Sequence, residues 1–511
     1  MLLLCVFGMN AQKNQYTIER IGWVNPWLSG GNMAALAFNG GFLCDTVSSF
    51  GSASLSLAGA TGDCRGIYDP SQSLEGRLGV ESYLRQKNVW LYGSFDYHYD
   101  YGTKSRWRGL VDPYETPFMM ADSIPGSISR ERYVMRAGVA VPFGKWSVGM
   151  DVAYEASLMA KHKDLRNKNT YMDFRIAPGV MYSGSRFTLG LDAGYLRNTE
   201  KIEYMQVEES RECYLFDLYG MWLYSGSGFS SAENRRMKEK SGLFGDFQTG
   251  ITLGNVRLVN NFGVLYTSIV QTETGYNNLR HGDTRQLTYR DNLDIYGGMR
   301  HKVSLSIETS RMLGWRFLQR QELDPASKVR MWVTYGDPVN CYVRDICRES
   351  LAYTYRAARS AWDIPWEVTA GISEMTFGHS YTEYPQVFSQ RVSAFEPYLT
   401  FTKNFGGDAD TFGVTPRLSW RHVYDSCEND ISYLEGTPGT EGDRPWQLTG
   451  PLHTEFEHLS SDMFNAGLSL LWHHTLKSTS ALSVGVSYNL TVPGADLGRR
   501  HCAGLTLGFT F

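Results

Sequence analysis

From Leu74 to Tyr101 the chain alternates with a period of two. Leu74, Gly76, Leu78, Val80, Ser82 and Leu84 fall on one face, and Glu75, Arg77, Gly79, Glu81, Tyr83 and Arg85 on the other. After a break at 86–88, Val89, Leu91, Gly93, Phe95, Tyr97 and Tyr99 alternate with Trp90, Tyr92, Ser94, Asp96, His98 and Asp100. That period predicts a β-hairpin. In a soluble sandwich the apolar face would be the core. In a membrane barrel it would face lipid, with the charges in the lumen. One hairpin fits both.

The rest of the chain separates them. Alternation recurs at 52–58, 74–85, 89–101, 131–141, 146–156, 171–182, 186–196, 243–253 and 256–267. It continues at 349–357, 365–375, 391–403, 412–422, 463–473, 481–490 and 501–511. The connections at 86–88, 142–145, 183–185 and 254–255 are tight turns, and others are expected at 359–362, 405–411 and 476–480. Between them lie long polar or aromatic connections such as 102–130, 197–242 and 424–461. Short turns at one end and long loops at the other are the pattern of an outer-membrane barrel. The expected fold is all-β, a transmembrane antiparallel barrel of about sixteen strands within a range of fourteen to eighteen. An even count puts both termini on the tight-turn, periplasmic side. The segment 270–348 is ambiguous: 300–312 and 328–336 could add two strands or belong to a long loop.

Composition agrees. No uncharged apolar run of about 18 residues follows the amino terminus, so the chain cannot cross a membrane as helices. Aromatics make up 14% of the 511 residues, with 31 Tyr and 52 Gly against 17 Pro, which suits a barrel with aromatic girdles. A net charge of −4 without a basic patch excludes nucleic acid as a partner. The last segment alternates Ala503, Leu505, Leu507, Phe509 and Phe511 with Cys502, Gly504, Thr506, Gly508 and Thr510. Left unpaired it would be an aggregation edge, which pairing with the first strand removes.

The amino terminus, MLLLCVFGMNAQ, reads as a signal peptide over 1–11. It lacks a positive start, which fits a true start further upstream. Leu4 stands where a lipoprotein signal before Cys5 needs a small residue. Residues 12–50 form a periplasmic or hatch segment, in which Asn25-Pro26 can open a short helix. Residues 51–511 form the barrel. The seven cysteines after residue 11 permit a Cys44–Cys64 or Cys341–Cys347 bridge, or none.

A leader ending Asn-Ala-Gln, a short preamble, about sixteen strands and the terminal Gly-Phe-Thr-Phe resemble a poorly characterised family of Bacteroidota outer-membrane barrels. Members of that family are often encoded beside TonB-dependent receptors and surface lipoproteins. The resemblance implies location and architecture, and it makes Phe509 and Phe511 the signal read by the barrel assembly machinery. The preamble also looks like the amino-terminal hatch of fatty-acid transporter barrels. It departs from their Asn-Pro-Ala motif at Asn32, which Met33 follows.

The polar parity assigns Glu75, Arg77, Glu81, Arg85, Asp96, Asp100, Arg132, Arg136, Asp151, Glu155, Asp173, Arg175, Asp192, Arg257, Arg417 and Arg421 to the lumen. Eight acidic and eight basic groups argue against strong ion selectivity. They fit either a salt-bridged interior or a polar path. No enzyme, metal or cofactor is expected. His98, His379, His453, His458, His473 and His474 fall in no Ser/His/acid spacing, and HTEFEH (453–458) lacks the HExxH spacing. The acidic stretch 425–436 lacks the EF-hand glycine, so both stretches read as solvated loops. Two functions remain. One is a channel or accessory component of solute uptake, with aromatic loops at 107–120 and 221–229 contacting an unidentified solute. The other is a non-conducting scaffold that docks surface lipoproteins or a TonB-dependent receptor.

Overall fold

The structure, a computed structural model, describes residues 23, 25–38, 49–208, 210, 212–228, 235–273, 279–326, 328–359, 364–383, 387–407, 409–429, 446–477, 480–494 and 496–511. The leader 1–11, Cys44 and most of the turn 359–362 lie outside the described residues.

Eighteen antiparallel strands close into one barrel. They are β1 (Ser49–Gly62), β2 (Gln72–Gln86), β3 (Val89–Ser105), β4 (Gly126–Phe143), β5 (Trp146–Lys161) and β6 (Arg166–Ser183). Then come β7 (Phe187–Met205), β8 (Arg235–Leu253), β9 (Val256–Glu273), β10 (Arg280–Gly297), β11 (His301–Arg316) and β12 (Val339–Arg356). The last six are β13 (Trp366–Tyr381), β14 (Phe388–Gly406), β15 (Asp410–Glu428), β16 (Met463–Lys477), β17 (Ser480–Pro493) and β18 (Arg500–Thr510). Each pairs with its sequence neighbour, and β1 pairs with β18 from Ser52↔Thr510 to Gly62↔Arg500. Closure therefore removes the edge that the last strand would otherwise expose. Just beyond that ladder, Gly51 and Phe511 exchange backbone hydrogen bonds of 3.0 and 2.9 Å. A Cβ on Gly51 would come 2.7 Å from the Phe511 ring.

All sixteen alternating segments fall on barrel strands, twelve wholly within one and four running one residue past a strand end. The count of eighteen corrects the central expectation and stands at the top of its range. The added strands are β10 and β11, and the second of these contains 301–312. The other candidate, 328–336, is not in the barrel: Arg330–Thr334 pairs with Gln319–Leu323 in a separate hairpin within the β11–β12 loop. β10 escaped notice because Asp291 interrupts its outward apolar row, where Asn260 donates to it at 2.6 Å.

The outward face carries Leu55, Leu57, Leu78, Leu191, Phe262, Leu305, Leu399, Leu468, Leu505 and Leu507, all exposed. A continuous apolar belt of this kind suits hydrocarbon and not water. This is a membrane-spanning barrel. The strands are mostly 14–19 residues long, whereas about 9–11 residues cross the hydrocarbon. Their long-loop ends therefore project beyond it, with polar residues on both faces.

The connection 424–461 is not wholly loop. It ends in a helix, α1 (Thr449–Ser460), that carries the HTEFEH stretch. The 425–436 stretch begins as the end of β15. Cys341 and Cys347 are both free thiols and form no bridge with each other.

Candidate functional site

The lumen is entered from both ends by the chain itself. At the tight-turn end, residues 25–38 fold inside as two short 3-10 turns, Pro26–Gly30 and Met33–Leu36, with proline opening the first. Glycines on the inner face give them room. A Cβ on Gly149 would lie 2.3 Å from the Ala34 nitrogen, and one on Gly250 would lie 1.9 Å from the Trp27 ring. The wall also holds the segment by hydrogen bonds. Ser147 donates to the Ala34 carbonyl at 2.9 Å, Gln248 to the Trp27 carbonyl at 2.9 Å, and Arg257 to the Trp23 carbonyl at 3.0 Å. These contacts come from β5, β8 and β9, on one arc of the wall.

At the long-loop end, pieces of three loops build a four-stranded sheet. Its order is Trp446–Gln447, Leu223–Gly228, Tyr214–Tyr219 and Phe118–Ala121. Leu110, Phe118, Met120, Leu218, Trp222 and Leu223 form its buried core, so hydrophobic burial keeps the loops together. Glu455 of α1 accepts from the Trp222 indole at 2.7 Å, and burial raises its carboxyl above the usual range. The sheet is hydrogen-bonded to the barrel interior: Gln271 donates to the Phe118 carbonyl at 2.7 Å, and Tyr204 to the Met120 carbonyl at 2.9 Å.

Buried charge completes this attachment. Lys238 is fully buried between Glu115 of the loop and Glu200 of the wall, 2.9 Å from the latter. Lys240 lies 2.6 Å from Glu115. Burial alone would raise the Glu115 carboxyl, but the two ammonium groups hold it down at about 2. Asp217 of the loop sheet meets Arg236 at 2.9 Å and His281 at 3.0 Å. Despite burial, those cations hold its carboxyl below the usual range. Lys161 meets Asp122 at 2.7 Å.

The lumen candidates divide into ion pairs and groups held by other contacts. Arg77 meets Asp96 at 2.6 Å, Arg136 meets Asp151 at 2.8 Å, and Glu155 meets Arg130 at 2.8 Å. Arg132 donates to His98 at 3.0 Å, and Glu75 lies 3.1 Å from the same ring nitrogen. Glu81 accepts from Tyr83 at 2.8 Å. Arg85, Arg175 and Arg417 lie over the rings of Trp90, Phe244 and Tyr398. Asp173 stands opposite Asn198 in the β6–β7 register, and Asp192 opposite Asp246 in the β7–β8 register. Arg421 donates to the Leu459 carbonyl. Asp100 lines a cavity of about 320 Å³ with Glu75, Arg108, Arg130, Arg132 and Arg500. Among the described residues, no group of three or more His, Cys, Asp or Glu side chains could hold a metal ion.

The pattern gave no notice of Glu115, Glu200, Asp217, Arg236 or Lys238. These groups lie in loops or in strand ends above the hydrocarbon, where apolar alternation stops while the strand continues. A signal was available in the run from Leu196 to Tyr204, whose even positions still read Leu, Asn, Glu, Ile, Tyr.

The two inserts leave the lumen unevenly filled. On β6–β9 one inward residue of each strand is fully buried: Asn169, Glu200, Lys238 and Gln271 are 0% exposed. On the opposite wall the inward residues Ala58, Arg417, Ser469, Asn489 and Thr506 are exposed. That wall is lined by small hydroxyl side chains that bond one another, as in Ser56–Thr506 at 3.1 Å and Thr402–Thr415 at 3.1 Å. Its solvent-accessible strip runs along β15–β18 and β1.

A family described as "Family of unknown function (DUF6850)" matches residues 41–511. Among curated proteins, none matches significantly. Three solved structures illustrate the fold likeness. The copper transporter OprC is 9% identical, with a TM-score of 0.40, covering 91% of this chain and 82% of its own. The ferric preacinetobactin receptor BauA from Acinetobacter baumannii is 8% identical, with a TM-score of 0.43 and coverage of 92% and 80%. A deletion mutant of the monoaromatic hydrocarbon channel TodX is 8% identical, with a TM-score of 0.30 and coverage of 94% and 92%.

Proposed function

We propose that this chain, which belongs to the Family of unknown function (DUF6850), is an outer-membrane barrel that passes small polar solutes along the unfilled side of its lumen. The observation that carries this reading is the exposed inward strip of Ala58, Arg417, Ser469, Asn489 and Thr506, opposite a wall where Asn169, Glu200, Lys238 and Gln271 are buried. An eighteen-stranded barrel is wide enough for an aqueous path, and the inserts occupy one side of it. Residues 25–38 act as the hatch. The tight turns and both termini face the periplasm, and the long loops face outward. Phe509 and Phe511 carry the assembly signal. Hydroxyl and amide groups along the strip replace water at a passing solute, and Arg417 is the one charge named there.

A second reading has its own support. The hairpin Gln319–Leu323/Arg330–Thr334 forms a separate sheet that carries exposed Leu323 and Val333 and is flanked by exposed Val329 and Tyr335. Such a surface would dock a surface lipoprotein or a TonB-dependent receptor, making the barrel an accessory of uptake.

Liposome swelling with neutral sugars of graded size separates the readings. The channel reading expects swelling with small solutes and a steep loss in Ser469→Trp, whose indole would obstruct the strip. Liposomes that stay impermeable with folded wild-type protein, while a partner co-purifies through the hairpin, would establish the scaffold instead.

A further inference from the structure

Where the inserted segment 25–38 meets the wall, the barrel carries buried oxygen atoms that no protein donor reaches. Two rungs of the sheet supply them. Gly179, Asp192, Asp246 and Gly263 stand side by side across β6, β7, β8 and β9. Gly190, Gln248 and Asn261 stand side by side across β7, β8 and β9.

Asp192 is 2% exposed, and both of its carboxylate oxygens are unpartnered. Gln248 is 1% exposed. Its Nε2 is committed to the Trp27 carbonyl, and its Oε1 has no donor. Asn261 Oδ1 is likewise without one. The glycines hold these groups close to the insert. A Cβ on Gly190 would lie 2.7 Å from Gln248 Oε1 and 3.5 Å from Asn32 Nδ2. A Cβ on Gly179 would lie 2.2 Å from Asn32 Oδ1 and 3.2 Å from the Asp192 Cβ.

A buried carboxylate with neither oxygen bonded is strongly disfavoured unless something positive accompanies it. Arg175 acts on Asp192 only through space and bonds neither of its oxygens. Its guanidinium lies over the Phe244 ring, 3.9 Å from the centroid, and makes no ion pair among the described residues. Protonating Asp192 would satisfy one carboxyl but leave the amide oxygens of Gln248 and Asn261 without donors. Asn261 donates to Asp246, but the unbonded oxygens of Asp192, Gln248 and Asn261 are acceptors that a cation would satisfy together.

We infer that Asp192, Asp246, Gln248 and Asn261 bind a hard divalent cation of the calcium class at the seam between the insert and the wall. Carboxylate and amide oxygens are the donors such an ion prefers, and its flexible coordination tolerates a partly hydrated site. Magnesium demands a stricter octahedron, and no nitrogen or sulfur ligand is present to favour a transition metal. With two carboxylates and Arg175 nearby, affinity should be weak, on the order of 10⁻⁴–10⁻³ M. The bound ion fastens residues 25–38 to β7–β9. The inference stands whether or not the barrel conducts.

The test is calcium titration of EDTA-stripped, detergent-solubilised full-length protein, read by thermal unfolding and by terbium luminescence sensitised through Trp27. Wild type should show a saturable rise in Tm of several degrees with calcium and a smaller one with magnesium. Asp192→Asn and Asn261→Leu, each shown to be folded by heat-modifiable gel migration, should bind calcium at least tenfold more weakly. Absence of a calcium response in wild type overturns the proposal. So does a response that survives unchanged in whichever variants fold.

Discussion

Leu78 and Ser469 test the two faces of the wall one residue at a time. Leu78 points outward and is 45% exposed in the barrel. Leu78→Arg should cost ~2–4 kcal/mol if the site lies near the bilayer midplane. Ser469 points inward and is exposed to the lumen, so Ser469→Arg should fall within about 0.5 kcal/mol of wild type, as for an ordinary surface change. Denaturant titration in lipid vesicles measures both, and equal losses would contradict the facing. Gly79, next to Leu78, is a poorer control although it points inward. Its Cβ would come 2.6 Å from Asp96 Oδ1, which already receives Arg77. The parity of charged residues was legible from spacing alone, because register in a half-apolar strand admits one facing only. Whether a charge would be paired was not legible, since partners such as Arg130 and His98 sit on neighbouring strands.

At the scale of elements, two of the carboxylates that hold the loop sheet, Glu115 and Asp217, have charged forms that the fold favours, whereas burial raises Asp122 and Glu455. Glu115, held at about 2 against an ordinary 4.5, binds fewer protons in the folded state. Its contribution is therefore complete above pH ~4.5 and is lost as pH falls towards 2. Asp217, also depressed, works in the same direction. Acidification from pH 5 to 2 should loosen the sheet while the barrel persists, exposing Trp107 and Trp222. Tryptophan quenching by acrylamide should rise over that window, and quenching independent of pH would contradict the role given to these ions. The strands were legible wherever they cross hydrocarbon. They were not legible where they leave it, because there the outward face turns polar and the period of two loses its contrast. For that reason 197–242 read as a connection although β7 runs to Met205 and β8 begins at Arg235. The helix α1 was missed for a different reason: of its residues only Leu452 is buried, too little to impress a period of 3.6 on the sequence.

At the scale of the whole molecule, closure by β1 and β18 fixes a wide cylinder, and the chain fills one side of it from both ends. The filled side explains the buried ion pairs, which stiffen the attachment of the loop sheet. The opposite side, small and hydroxylated, is where a solute would pass. Single-channel recording in planar bilayers tests this division most directly, comparing the intact protein with one lacking residues 25–38. The account predicts small but measurable conductance through the intact barrel and a severalfold increase on removal of the inserted segment, with wild-type heat-modifiability. Silence from both folded forms, or conductance unchanged by the deletion, would contradict it.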